Sequence, residues 1–123
     1  MIKERYVNLE VARLLRDKGF DEGCCGYYYC GVLTFLYDRL NKNSEHTNLL
    51  ISAPTQQMAV DWVRTKDVLI TYDLAPIGTT LMVKVYKRTQ DTDFPWTEGI
   101  TIIRSTLEET INEALKYALE KLL

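Results

Sequence analysis

Apolar residues at helical spacing predict three amphipathic helices in this chain. In the first, within 7–20, they recur every third or fourth residue, and Asn8 is suited to cap the start of the helix. Gly19 is suited to end this helix, which allows Phe20 to fold back onto the apolar face. The last helix begins with a capping-box sequence at 105–108, and its apolar stripe continues nearly to the end of the chain.

The middle helix follows Pro54 and is short, about three turns long. Either Ser52 or Thr55 is suited to cap it. Its apolar stripe is expected to include Met58, Ala59, Trp62 and Val63. Trp62 is the expected anchor of this helix in the core. The residues predicted to be mostly buried in the whole chain are Val11, Leu15, Trp62, Val83, Ile111, Leu115 and Ala118.

Alternating apolar positions predict strands between the helices. Both faces of 27–37 are largely apolar, which predicts one long strand that is covered on both sides for part of its length. Segments 67–72 and 80–88 alternate and flank a turn with proline and glycine, which predicts an antiparallel hairpin. Shorter strands are expected at 49–52, with less support, and at 100–104.

The order of elements predicts the fold class α+β. We expect a two-layer domain in which about three helices pack on one face of a small, mostly antiparallel sheet. A length of 123 residues suits a single domain over 1–123. Hydrophobic residues make up 46% of the chain and the net charge is −2, so a disordered chain is not expected.

Charge and hydropathy restrict location and partners. The first ten residues hold no apolar stretch of the kind found in signal peptides, and no apolar run reaches the roughly 18 residues of a membrane helix. The sequence therefore predicts a soluble, cytoplasmic protein with no membrane partner. The three cysteines are an odd number within seven residues, which predicts free thiols in a reducing compartment.

Few residues suggest enzymatic chemistry. The three cysteines, with the single His46, do not have the paired spacing of zinc sites, so no metal or cofactor is predicted. A cysteine nucleophile with His46 as its base is an alternative. A second alternative uses paired carboxylates such as Asp91 and Asp93, in a polar segment (89–99) expected to be a loop or the tip of a hairpin. Nucleotide-binding and hydrolase motifs are absent from the sequence.

The aromatic residues are the most informative feature. Eight tyrosines, three of them consecutive at 27–29, exceed what so small a core needs. The surface predicted to contact a partner includes Tyr28, Tyr29 and Tyr86. Three cations near Tyr86 also fit a weak single-stranded nucleic-acid surface; they are Lys84, Lys87 and Arg88. The net negative charge of the chain opposes this alternative.

Three blocks carry a resemblance to known proteins. They are NLEVARLLRDKGF at 8–20, APTQQMAVDWVR at 53–64 and STLEETINEALKYALE at 105–120. Together they resemble small uncharacterised proteins encoded by phages and prophages of gut Bacteroides-type bacteria. The likeness covers about a third of the chain, all of it scaffold. It implies no catalytic motif and does not include the cysteine and tyrosine cluster.

Two classes of function follow from these observations. The first is a non-enzymatic binding or regulatory module that acts through protein contacts, with itself or with another protein. The second is a small enzyme that uses a thiol or a carboxylate pair. An enzyme needs a concave site in which a nucleophile meets a base, whereas a binding module needs an exposed apolar surface.

Overall fold

The structure is a computed structural model that describes residues 5–35, 40–45, 50–74, 81–88, 96–102 and 107–123. The helices are α1 (Leu9–Asp17), α2 (Gln56–Thr65) and α3 (Leu107–Tyr117), and the strands are β1 (Gly26–Tyr29), β2 (Val32–Phe35), β3 (Leu50–Ala53), β4 (Val68–Leu74), β5 (Leu81–Arg88) and β6 (Trp96–Ile102). Contacts divide the chain into two units, 1–59 and 60–123. Each unit holds one antiparallel three-stranded sheet.

This architecture confirms the predicted α+β class. The strands form two small sheets, with the orders β2-β1-β3 and β4-β5-β6, where the sequence suggested one. The single domain over 1–123 stays a prediction. No helix in the described ranges is long and apolar enough to cross a bilayer.

Helix α1 begins and ends where local sequence signals place its boundaries. Asn8 Oδ1 accepts the backbone N–H of Val11 at 2.9 Å, which satisfies a donor at the open end of the helix. Gly19 has a φ of 94°, a left-handed conformation that costs glycine little. The chain then turns back, and Phe20 is buried with its N–H donating to Leu15 O at 2.9 Å.

The expectation of one strand over 27–37 is wrong. The structure has a hairpin at this place, in which β1 pairs antiparallel with β2 across a turn formed by Cys30 and Gly31. The φ values of these two residues are 50° and 82°, and two consecutive left-handed residues match the right-handed twist of hairpin strands. Residues 36–37 lie outside the described ranges.

Strand β3 completes the first sheet, and it begins and ends one residue later than the predicted strand at 49–52. It pairs antiparallel with β1, so β1 is the central strand and β2 and β3 are the edges. Helix α1 contacts β3 within this unit.

Helix α2 is capped by Thr55, the second of the two predicted caps. Its Oγ1 accepts the N–H of Met58 at 3.2 Å. The buried residues of α2 are Gln56, Ala59, Val60 and Val63. Trp62 is only half-buried, with Lys66 Nζ 5.3 Å from its ring centre. The fully buried stripe therefore lies one position round the helix from the predicted one, and the role of Trp62 as the anchor stays a prediction.

The second unit packs α3 against β5 and β6. Val83 and Val85 are buried on β5, with Ile70 opposite Val85 and Ile102 opposite Val83. Six of the seven predicted core residues are buried; they are Val11, Leu15, Val83, Ile111, Leu115 and Ala118. The hairpin of β4 and β5 is confirmed, although its turn and the capping residues 105–106 lie outside the described ranges.

Two details of the second unit differ from expectation. Residues 96–99, predicted to belong to a loop or to the tip of a hairpin, are part of β6, which pairs antiparallel with β5 with a register shift between Val85 and Tyr86. Helix α3 continues as a π-helical turn, Ala118–Leu122. Lys87 Nζ donates to the carbonyl of Leu122 and so ties this turn to β5.

Candidate functional site

The first sheet presents one face rich in tyrosine. Its register sets Tyr27 opposite both Thr34 and Ser52, and Tyr29 opposite both Val32 and Leu50. Directly opposed residues of antiparallel strands project from the same side of a sheet. These side chains therefore share one face, which we call the tyrosine face; it comprises Tyr27, Tyr29, Val32, Thr34, Leu50 and Ser52.

The two ends of the tyrosine face differ in exposure. At the hairpin end, the side chains of Tyr29 and Val32 are 51% and 64% exposed. At the other end Ser52 is buried, and its Oγ donates to Asn41 Oδ1 at 2.6 Å. Asn41 is itself buried and its amide donates to the carbonyls of Cys24 and Gly26 at 2.6 and 3.0 Å. One end is thus closed by a hydrogen-bonded network, while the hairpin end is open to solvent.

The opposite face of this sheet is covered by the segment before α1. The ring of Tyr6 meets Phe35 edge-on, with centroids 5.0 Å apart. A Cβ on Gly26 would lie 3.1 Å from the Tyr6 ring and 2.9 Å from Ala53 O, so glycine is required where the ring crosses the strand. Tyr28 reaches the same segment, where its hydroxyl donates to Val7 O at 2.8 Å.

The consecutive tyrosines therefore have different surroundings. Tyr28 is half-buried and bonded to the N-terminal segment, whereas Tyr29 is exposed on the tyrosine face. The contact role predicted for both stays a prediction. Sequence reasoning missed Val32 and Leu50, which come beside Tyr29 only through the register of the sheet.

Removing the hydroxyl of Tyr28 tests this difference. Tyr28→Phe is expected to lower the free energy of unfolding by about 1 kcal/mol, because it breaks a part-buried hydrogen bond. Tyr29→Phe is the matched control, expected to change it by less than about 0.5 kcal/mol. Urea unfolding of the two variants measures both values. Equal losses would show that the hydrogen bond to Val7 does not distinguish them.

Tyr86, the third predicted contact residue, lies in the second sheet. It is half-buried on β5, opposite Leu69 and Glu98. Two of its neighbouring cations already have partners: Lys87 bonds the carbonyl of Leu122, and Arg88 pairs with Asp67 at 3.7 Å. This arrangement gives no added support to a nucleic-acid surface.

The three cysteines differ in accessibility. All are free thiols; Cys24 is buried, and Cys25 and Cys30 are exposed. Burial raises the pKa of Cys24 to about 12, and its Sγ donates to Glu22 O at 3.3 Å. Cys24 therefore stays a neutral thiol near neutral pH and is unsuited to act as a nucleophile. The predicted base, His46, and the carboxylates Asp91 and Asp93 lie outside the described ranges.

The cysteines should differ in alkylation rate. With iodoacetamide near pH 8, Cys25 and Cys30 are expected to react in the native protein, while Cys24 reacts only after unfolding. The raised pKa acts in the same direction as burial, since the native thiol would ionise only as the pH approaches 12. Peptide mass spectrometry over time measures the three rates. Rapid labelling of native Cys24 would contradict its burial.

A small cavity lies beside Cys25. Its volume is about 220 Å³, and its walls include Tyr6, Cys25, Leu40, Pro54 and Met58. None of the described residues that line this cavity is charged. Its Thr55 hydroxyl already accepts the N–H of Met58. Among the residues that the structure describes, no group of three or more histidines, cysteines or carboxylates is placed to hold a metal.

Comparison with known proteins finds no matching family model, no matching curated protein and no matching solved structure.

Proposed function

We propose that this chain is a non-enzymatic binding module that acts through protein contacts. Its contact surface is the open end of the tyrosine face, at Tyr29, Val32 and Leu50. The observation that carries the proposal is that Tyr29 and Val32 lie directly opposite each other and are both more than half exposed. Keeping adjacent apolar groups in water is unfavourable, and covering them with a second molecule removes that cost.

The chemistry of this surface suits a protein partner. Tyrosine combines a large apolar ring with a hydroxyl that can hydrogen-bond at the rim of an interface. A two-residue hairpin holds Tyr29 and Val32 on paired strands, so little conformational entropy is lost when they are covered. Tyr6 and Tyr28 connect the other face of the same sheet to the segment before α1, so the tyrosine face is not used for this packing.

The finer parts of this proposal rest on sequence. The resemblance of the three scaffold blocks supports an origin in a phage or prophage. The odd, closely spaced cysteines support a cytoplasmic location. A regulatory role is the form of binding that we favour for a module without a catalytic motif, and a thiol- or carboxylate-dependent enzyme is the alternative.

Site-specific photo-crosslinking tests the proposal. A photoreactive phenylalanine analogue is placed at position 29 and, as a matched exposed control, at Arg13 on α1. In cells that naturally make the chain, position 29 is expected to cross-link to one defined protein, and position 13 is not. Absence of any product specific to position 29 would contradict the proposal.

The same contact is then measured with purified proteins. Tyr29→Thr keeps a strand-favouring residue but removes the ring. It is expected to weaken binding of the cross-linked protein at least about tenfold, the effect of losing an interface anchor. Arg13→Ala should leave the affinity unchanged. Equal affinities of Tyr29→Thr and the original chain would show that the tyrosine face is not the contact surface.

A further inference from the structure

Strand β2 is an edge of the first sheet, and its backbone has one side turned outward. In a two-residue hairpin the residues that flank the turn, Tyr29 and Val32, point their N–H and C=O groups at each other. The groups of the next residue, Leu33, then point away from β1. Within the described ranges, β1 is the strand paired with β2, and no strand covers the outward side at Leu33.

The other edge of the same sheet carries a feature that discourages strand addition. On β3, the outward N–H of Ser52 already donates to Asn43 Oδ1 at 2.9 Å. Charged residues and covered backbone groups are the usual protection of edge strands. Strand β2, with the sequence VLTF, has no charge and no proline.

We propose that β2 pairs antiparallel with β2 of a second copy of this chain, which joins two three-stranded sheets into one of six. This inference goes beyond the proposed function, because it concerns the edge of the sheet and leaves the tyrosine face open for the proposed contact. The outward backbone groups of Leu33 require an extended strand as the occupant. A second copy fits this edge because, around a two-fold axis, each β2 strand meets an identical strand. A charged strand would then repel its copy, whereas β2 has no charged residue.

The pairing has a defined geometry. With Leu33 opposite Leu33 of the second copy, each N–H meets the other C=O, and Val32 lies opposite Thr34 of the second copy. Because opposed residues share a face, the two tyrosine faces then lie on the same side of the joined sheet. Their exposed residues form one wider apolar surface, and the net charge of −2 per chain opposes this association only weakly.

Amide hydrogen exchange at Leu33 tests the pairing in the unmodified chain. In a monomer the outward N–H of Leu33 exchanges rapidly, whereas in the paired dimer it is hydrogen-bonded and protected. We expect protection at millimolar concentration that is lost on dilution. The N–H of Val32, bonded within the hairpin, is the internal control and stays protected at both concentrations. A Leu33 amide that exchanges freely in the concentrated protein would overturn the pairing.

Two substitutions on β2 make the test independent of exchange rates. Thr34→Lys places two like charges near the two-fold axis and is expected to give a monomer by light scattering, while Thr34→Val stays a dimer. A dimer that survives Thr34→Lys, or a monomer at all concentrations in the unmodified chain, would overturn the proposal. Cross-linking from position 29 to a different protein, with a monomeric chain, would overturn this pairing alone and leave the proposed function supported.

Discussion

Replacing Phe20 with alanine is expected to lower the free energy of unfolding by about 3–5 kcal/mol, the range for truncating a buried aromatic ring. The Phe20 side chain is among the largest that are fully buried. The backbone cannot readily move to fill the space, because the Phe20 N–H is bonded to Leu15 O and Gly19 fixes the reversal of the chain. Denaturant unfolding with a fluorescence or circular dichroism signal measures the loss.

Two variants bracket this result. Phe20→Leu keeps most of the apolar volume and should lose about 1–2 kcal/mol. Arg13→Ala, at an exposed position of α1, should change stability by less than about 0.5 kcal/mol. A loss below about 1 kcal/mol for Phe20→Ala would mean that the turn after α1 does not pack as described.

Replacing Asn41 with alanine is the second large expected effect, about 2–4 kcal/mol of lost stability. Asn41 is 4% exposed, and its side chain bonds the carbonyls of Cys24 and Gly26 and the hydroxyl of Ser52. Alanine leaves these buried groups with fewer hydrogen-bond partners. Thermal or urea unfolding gives the size of the loss.

A double-mutant cycle separates this network from a general loss of packing. Ser52→Ala removes the hydroxyl that donates to Asn41 Oδ1, and the two substitutions should cost less together than the sum of their separate losses. Lys42→Ala, at the exposed neighbouring position, is the control and should have little effect. Additive losses for Asn41 and Ser52 would contradict a shared network.

The sequence predicts α1 well and the β1–β2 hairpin poorly, for physical reasons. The cap at Asn8, the apolar stripe and the stop at Gly19 are local signals, and each is visible within one helical turn. The hairpin turn has no comparable signal, because Cys30 has a left-handed φ, and residues other than glycine and asparagine seldom have one. Because apolar residues precede and follow this turn, the sequence pattern of 27–37 resembles one continuous strand.

The candidate site was only partly predictable for a related reason. An excess of tyrosine indicates a contact surface, and Tyr29 is found exposed. Val32 and Leu50 join it through pairings with β1 that no local pattern specifies. Helix α2 shows the same limit, since Val60 lies in its fully buried stripe, whereas Trp62 is only partly buried.

We expect the open end of the tyrosine face to serve contact with another chain and not folding. The decisive measurement is the unfolding free energy of the double variant Tyr29→Thr, Val32→Thr in dilute protein, where the chain is unassociated. Because threonine favours strands, we expect this free energy to change by less than about 1 kcal/mol. A loss of about 3 kcal/mol or more would place both side chains in the core of the fold and contradict a role in contact alone.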